Sequence, residues 1–125
     1  MRFLPTQVHG IVDYLAGIVF IALPWLFDWN DSAKTILTIL GIGVIAYSLL
    51  TRYELGVMKV IPMSTHLMLD LVAGVFLIIS PFIFDVEPDA ARWTMVVLGV
   101  LEIGASLMTR TDPYESDRTA SAGRA

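Results

Sequence analysis

The stretch HGIVDYLAGIVFIALPWLFD at positions 9–28 returns 57 residues later as HLMLDLVAGVFLIISPFIFD at positions 66–85. Both copies carry a histidine, an aspartate, Ala-Gly, a proline and Phe-Asp at the same places. Each copy is an apolar run of roughly 20 residues, which is the length that an α-helix needs to cross ~30 Å of hydrocarbon. The repeat therefore predicts two equivalent transmembrane helices.

The segment that follows each copy is also duplicated, at an offset of 58 residues after one extra residue in the second loop. The matching positions are Leu40-Gly41 with Leu98-Gly99, Ser48 with Ser106, and Thr51-Arg52 with Thr109-Arg110. Each unit is thus a helical hairpin, with repeat one at 4–52 and repeat two at 61–110. Because each unit contains two spans, both enter the membrane from the same side, and a pseudo-two-fold axis along the membrane normal is predicted.

Four apolar stretches are long enough to span a bilayer. They run over Val8–Phe27, Ala33–Thr51, His66–Phe84 and Ala90–Thr109. Since lipid offers no hydrogen bonds to an exposed backbone, such runs can only be helices. The sequence predicts an all-α membrane protein with one four-helix transmembrane domain at 1–110. Positions 111–125 are small, polar or charged, and they predict a disordered cytoplasmic tail.

Composition excludes several classes of function. The chain is 56% hydrophobic with a net charge of −4, so it has no concentrated basic surface for nucleic acid. It has no cysteine, which excludes disulfides, thiolate metal sites and cysteine nucleophiles. Walker, H-E-x-x-H and G-x-S-x-G motifs are also absent from the sequence. We therefore predict no catalytic residue, no resident metal and no cofactor.

Loop charges predict the orientation. The more basic side carries Arg2, Arg52, Lys59, Arg110, Arg118 and Arg124, whereas Lys34 and Arg92 are the basic residues of the other side. By the positive-inside rule both termini are cytoplasmic. Trp25, Trp29 and Trp93 are expected to form an aromatic belt at the outer interface. The inner connection, 53–65, is either an amphipathic interfacial helix or an irregular loop.

A short motif surrounds the proline near the outer end of each hairpin's first helix. It is Leu23-Pro24-Trp25 in the first repeat and Ser80-Pro81-Phe82 in the second, and each copy keeps two letters of Ser-Pro-Trp. With its duplicated hairpin, the chain resembles the bacterial SPW-repeat membrane proteins over nearly all of its length before the tail. The resemblance implies a multi-pass protein of the bacterial cytoplasmic (inner) membrane, and it implies no activity.

The two prolines also have a physical role. A proline lacks the backbone N–H and crowds the preceding turn, so Pro24 and Pro81 should kink or end their helices near the outer surface. The aromatic residues that follow, Trp25 and Phe82, are then placed as interface anchors.

Histidine and aspartate recur at a spacing of four residues, as His9 with Asp13 and His66 with Asp70. This spacing puts each pair on one helical face, toward the inner end. The same faces continue to Gly17 and Gly74, and together with Gly41 and Gly99 these glycines are predicted to allow close helix packing. If the first and third helices cross near Gly17 and Gly74, the four polar side chains form one inner cluster.

Glu102 is a third carboxylate at a similar depth. Val44 holds the equivalent place in repeat one, so Glu102 breaks the internal symmetry. An ionisable group within a membrane helix costs on the order of 2.5–3.5 kcal/mol at the helix centre, and Glu102 should therefore have a partner.

Two interpretations of this polar cluster remain open. In one, it is a proton relay or a divalent-metal site, because His and Asp at i and i+4 can ligate one ion and histidine titrates near neutrality. In the other, which we favour, the histidines orient Asp13 and Asp70, and these carboxylates pair with Arg52 and Arg110 at neighbouring helix ends.

The leading functional hypothesis is a non-enzymatic structural or accessory membrane component. Its partners would be the lipid bilayer and either a second copy of the chain or another membrane subunit. The alternative is a proton- or metal-ion-handling transporter or channel subunit that uses the inner cluster. A membrane enzyme would need the same cluster to bind a metal and to open to substrate.

Overall fold

The computed structural model describes residues 3–51 and 53–111. It contains four helices, which are α1 (Thr6–Leu26), α2 (Asp31–Leu49), α3 (Met63–Ile83) and α4 (Asp89–Met108). All four are long and apolar enough to cross a membrane, and the described ranges contain no strand. The predicted all-α membrane fold with four spans is confirmed. The predicted tail falls, from residue 112 onward, outside the described residues, as do Arg2, Arg52, Arg118 and Arg124.

Helix ends lie within three residues of the predicted ones. Both α1 and α3 begin directly after a proline, Pro5 and Pro62, whose backbone is extended. A proline at a helix start sacrifices no hydrogen bond, because the first N–H groups of a helix have no intrahelical partner. At the other end, Pro24 and Pro81 lie inside the last turn, and each helix ends two residues later.

Glycines bring the two helices of each hairpin together. A Cβ atom on Gly41 of α2 would lie 2.6 Å from the carbonyl oxygen of Gly17 in α1. In the second hairpin, a Cβ atom on Gly99 would lie 2.6 Å from the carbonyl oxygen of Gly74. The four glycines therefore have the packing role that the sequence predicts, and the helices they bring together are the two of each hairpin.

The helices of different hairpins make far fewer contacts with each other than the two helices of one hairpin do. Helix packing is concentrated between α1 and α2 and between α3 and α4, and the main backbone contact between the hairpins joins α2 to α3. Toward the outer end, where α1 and α3 finish, an apolar core that includes Phe20, Leu37, Leu77 and Met95 fills the space between the helices. The inner end, where α1 and α3 begin, is joined differently.

At the inner end, the chain entering one helix pairs with the chain leaving another. The N–H of Leu4 donates to the Met108 carbonyl at 2.8 Å, which ties the start of α1 to the end of α4. The N–H of Ile61 donates to the Leu50 carbonyl at 2.7 Å, which ties the start of α3 to the end of α2. These are equivalent positions of the two repeats. All four inner helix ends are thus held side by side, and the pseudo-two-fold axis stays a prediction.

The inner connection is irregular rather than helical. Val57 and Met58 both donate their N–H groups to the Leu49 carbonyl at the end of α2, at 2.8 and 3.0 Å. These bonds fold the loop back under the bundle, and Tyr53 is fully buried there. Of the two predicted alternatives for this segment, the irregular loop is observed, because the N–H groups of Val57, Met58, Val60 and Ile61 bond to carbonyls at the end of α2 and not to carbonyls four residues back in the loop.

The tryptophans do not form one belt. Trp25 and Trp93 are more than half exposed, as expected for outer interface anchors, but Trp29 is only 7% exposed. Trp29 belongs to the apolar core, which it shares with Val86 of the other outer loop. Its prediction as a belt residue is wrong, because the loop between α1 and α2 turns its indole inward.

Candidate functional site

His9, Asp13, His66 and Asp70 meet at the inner end, and all four side chains are fully buried. His9 Nε2 lies 2.6 Å from Asp70 Oδ2, across the boundary between the hairpins. His66 Nε2 lies 2.6 Å from Asp13 Oδ2 in the same crossed manner. The contact within each helix is longer, at 3.2 Å in both hairpins. Each histidine thus bonds most closely to the aspartate of the other hairpin.

The opposite nitrogen of each imidazole contacts a threonine hydroxyl at a helix end. His9 Nδ1 lies 2.6 Å from Thr109 Oγ1, and the Thr109 hydroxyl donates to the Ala105 carbonyl at 2.6 Å. His66 Nδ1 lies 2.7 Å from Thr51 Oγ1, and Thr51 donates to a carbonyl of α2 at 2.5 Å. Because a hydroxyl carries one proton, it accepts from Nδ1, which is therefore the protonated nitrogen. Both Nε2 atoms face the carboxylates: each donates to the aspartate of the other hairpin when it also carries a proton, and it offers a lone pair to a cation when it does not.

Sequence reasoning did not include these two threonines in the site. Their signal was present, since Thr51 and Thr109 occupy matching places in the repeats. A threonine at the end of a hydrophobic helix is a common boundary residue, so its position alone does not mark it as a hydrogen-bond partner of histidine.

Tyr47 makes the cluster unsymmetrical. Its hydroxyl donates to Asp70 Oδ1, the carboxylate oxygen that faces away from the histidines. The equivalent position of repeat two is Ala105, which has no hydroxyl to offer Asp13. Asp13 Oδ1 is buried and has no hydrogen-bond partner among the described residues.

Glu102 lies beside the cluster but is not one of its four inner donors. It is 5% exposed, and the charges of Asp70 and Asp13 are close enough to act on it. Its Oε1 atom has no hydrogen-bond partner in the described ranges. Glu102 therefore adds a buried carboxylate beside the cluster, and one of its two oxygens has no hydrogen-bond partner within the described ranges.

The arginine partner that we expected for Asp70 is replaced by other groups. Asp70 accepts a hydrogen bond from Tyr47 and pairs with His9 Nε2 at 2.6 Å and with His66 Nε2 at 3.2 Å, and its side chain is fully buried. For Asp13, the expected partner Arg52 lies outside the described residues. The histidines have taken the role assigned to arginine because the four helix ends converge and bring both rings within reach of both carboxylates.

The outer motifs pack the two helices of a hairpin against each other. The indole N–H of Trp25 donates to Thr38 of α2 at 3.0 Å, and the Phe82 ring meets the Trp93 ring of α4 edge-on at 5.9 Å between centroids. The preceding Ser80 is buried with no hydrogen-bond partner for its hydroxyl within the described chain. Pro24 and Pro81 are buried as well. The motif lies at the opposite end from the inner cluster.

Chemically, the inner cluster offers two imidazole nitrogens and two carboxylate oxygens to one point. One donor atom from each of His9, Asp13, His66 and Asp70 lies within 4.8 Å of every other. Such an arrangement can share protons between neighbouring atoms, or it can surround a cation. Its full burial keeps a larger molecule away from these donors.

These features define a four-helix integral membrane protein made of two similar hairpins that are joined by a buried polar cluster. The chain belongs to the SPW repeat family, since the model of the SPW repeat domain matches residues 7–109. Comparisons with curated proteins and with solved structures gave no significant match. The match confirms the resemblance that the Leu-Pro-Trp and Ser-Pro-Phe motifs indicated.

Proposed function

We propose that the protein is a non-enzymatic structural or accessory component of the bacterial cytoplasmic membrane, with both termini on the cytoplasmic side. The observation that supports this most is the full burial of all four His and Asp side chains of the inner cluster. A catalytic acid or base must come within hydrogen-bond reach of its substrate. These groups instead bond to one another across the two hairpins, so their role is to fasten the fold.

The membrane environment explains why hydrogen bonds between the hairpins are useful here. Lipid tails are as apolar as the helices, so no hydrophobic force drives one hairpin onto the other. Hydrogen bonds between membrane helices contribute about 0.6 kcal/mol each on average and up to about 1.7 kcal/mol. The crossed bonds from His9 to Asp70 and from His66 to Asp13 supply this attraction where helix contact is thin. They also set the register of one hairpin against the other.

The outward surface fits lipid and membrane partners. Large apolar side chains project from all the helices, among them Ile18, Ile39, Val72 and Leu101, each more than half exposed. The bilayer is the partner that this surface requires. A second copy of the chain or another membrane subunit would bind through the same apolar surface.

The absence of native cysteine makes the orientation directly testable. Val57→Cys places a thiol in the exposed inner loop, and Glu87→Cys places a matched thiol in the exposed outer loop. In spheroplasts, a membrane-impermeant maleimide should label the Glu87→Cys chain at once and the Val57→Cys chain only after lysis. The reverse pattern would refute cytoplasmic termini, and labelling of both thiols in intact spheroplasts would refute the four-span topology.

A proton- or metal-ion-handling transporter or channel subunit is the second candidate. The observation in its favour is a pair of buried carboxylate oxygens, on Asp13 and Glu102, that have no hydrogen-bond partner in the part of the chain that the structure describes. Against it, the outer half of the interior is filled by an apolar core, so the polar groups collect at one end and line no route across. Ion flux in liposomes that Glu102→Gln abolishes and the outer-loop control Glu87→Gln preserves would favour this alternative.

A further inference from the structure

We propose that His9, Asp13, His66 and Asp70 form a binding site for one divalent transition-metal ion of the zinc type. The ligands are the Nε2 atoms of the two histidines and the Oδ2 atoms of the two aspartates. Each hairpin contributes one histidine and one aspartate, so the ion would connect the two halves of the protein. The inference goes beyond the proposed structural role, which does not require a metal.

The four distances between a histidine nitrogen and an aspartate oxygen approach those of a tetrahedral zinc site. Zinc binds nitrogen and oxygen at about 2.0–2.2 Å, so neighbouring ligand atoms of a tetrahedron are about 3.3 Å apart. The contacts within each helix, His9 to Asp13 and His66 to Asp70, are 3.2 Å and already match. The crossed contacts are 2.6 Å, and they would open by about 0.7 Å to admit the ion.

The imidazoles are oriented as metal ligands usually are. A ligating histidine typically donates its other ring N–H to a fixed acceptor, which sets the tautomer and the direction of the ring. Here Thr109 and Thr51 hold Nδ1 of His9 and His66 in that way. The Nε2 atom of each ring thereby faces the carboxylate oxygens. The Tyr47 hydroxyl holds the Asp70 carboxylate in place by donating to Oδ1, the oxygen that is not proposed as a ligand.

A second observation points to a bound cation. Asp13 is fully buried, yet its Oδ1 atom has no hydrogen-bond partner among the described residues. A metal held by Asp13 would compensate this charge, and it could also draw Oδ1 into its coordination sphere. Two carboxylates and one divalent ion are together neutral, which suits a site inside a membrane domain where net charge is costly.

The donor set favours some metals over others. Two imidazoles with two carboxylates suit zinc and neighbouring transition metals, whereas magnesium and calcium prefer oxygen alone. The chain has no cysteine, so a soft thiolate site cannot compete for the ion. Zinc should therefore bind far more tightly than magnesium.

Zinc binding is tested on the full chain, purified in detergent and stripped of metal with a chelator. The protein is then loaded with Zn²⁺ in the presence of excess Mg²⁺, and free metal is removed by dialysis. We expect one zinc per chain by elemental mass spectrometry. The pair Asp13→Asn and Asp70→Asn, combined in one chain, should reduce zinc affinity by at least about tenfold. The control pair Asp85→Asn and Glu87→Gln removes the same charge from the exposed outer loop and should retain the ion. Wild-type protein without zinc, or equal affinity in both double variants, would overturn the proposal.

A spectroscopic measurement on the unmodified chain covers the case in which the Asn variant does not fold. X-ray absorption at the zinc edge should show two imidazole ligands with the remaining ligands oxygen. A zinc shell without imidazole would overturn the proposal regardless of any variant. Neither outcome alters the maleimide labelling pattern, so failure of the metal site and failure of the proposed membrane role can be distinguished.

Discussion

Asp70→Ala should lower the free energy of unfolding by about 3–5 kcal/mol, the loss typical when one partner of a buried charged network is removed. Asp70 is fully buried, accepts a hydrogen bond from Tyr47 and pairs with His9 at 2.6 Å and His66 at 3.2 Å. Without the carboxylate, three buried polar groups lose a partner that water cannot replace. Unfolding in mixed detergent and dodecyl sulfate micelles, followed by circular dichroism, measures the change.

The matched control is Asp85→Ala in the outer loop. The Asp85 side chain is exposed, and the contact that Asp85 makes with Asn30 uses its backbone carbonyl, which alanine preserves. We expect this variant to stay within about 0.5 kcal/mol of wild type, as is usual for surface substitutions. A similarly small effect of Asp70→Ala would mean that the inner cluster does not hold the hairpins together.

Gly41→Val should cost about 3 kcal/mol, at the upper end of the range for overpacked interiors. A Cβ atom at Gly41 would lie 2.6 Å from the Gly17 carbonyl oxygen and 2.6 Å from a side-chain carbon of Ile21. The first of these atoms belongs to helix backbone, so α1 and α2 would have to move apart. The same unfolding titration measures the loss.

Gly43→Val in the same helix is the control. A Cβ atom at Gly43 meets nothing within 4 Å, so the added side chain has space. Valine also has a better helix propensity than glycine, and we expect stability equal to or slightly above wild type. If both variants lost the same free energy of unfolding, the loss would come from placing valine in α2 and not from the close approach of α1 and α2 at Gly41.

The fold was predictable because its signals are local. Apolar length defines each span, and the repeat with His9 and His66 at matching places identifies the hairpins. The i, i+4 spacing also puts Asp13 beside His9 and Asp70 beside His66 within their helices. It does not determine whether the two pairs meet, which the structure places together at the inner end.

The pairing inside the cluster was not predictable. The difference between a 2.6 Å contact across the hairpins and a 3.2 Å contact within a helix depends on how α1 and α3 are placed, which no local pattern encodes. The partner helix of each packing glycine was not predictable for the same reason. Gly17 could face any neighbouring helix, and the structure places Gly41 of its own hairpin there.

The sequence shows which residues break the symmetry of the site, but not the contacts that these residues make. Glu102 stands out in the sequence because Val44 takes its place in the first repeat, and the same comparison sets Tyr47 against Ala105. That Tyr47 donates to Asp70 depends on the contact between α2 and α3, which belong to different hairpins. Aligning the two repeats matches equivalent positions, but it does not show which residues of one repeat contact the other.

The central claim is that the crossed His–Asp bonds join the two hairpins, and a double-mutant cycle on His9 and Asp70 tests it most directly. The free energies of unfolding of wild type, His9→Ala, Asp70→Ala and the double variant give the coupling energy. We predict a coupling of about 1–3 kcal/mol, the range for residues in one buried network. Additivity within about 0.5 kcal/mol would contradict the account, because it would mean that His9 and Asp70 act independently.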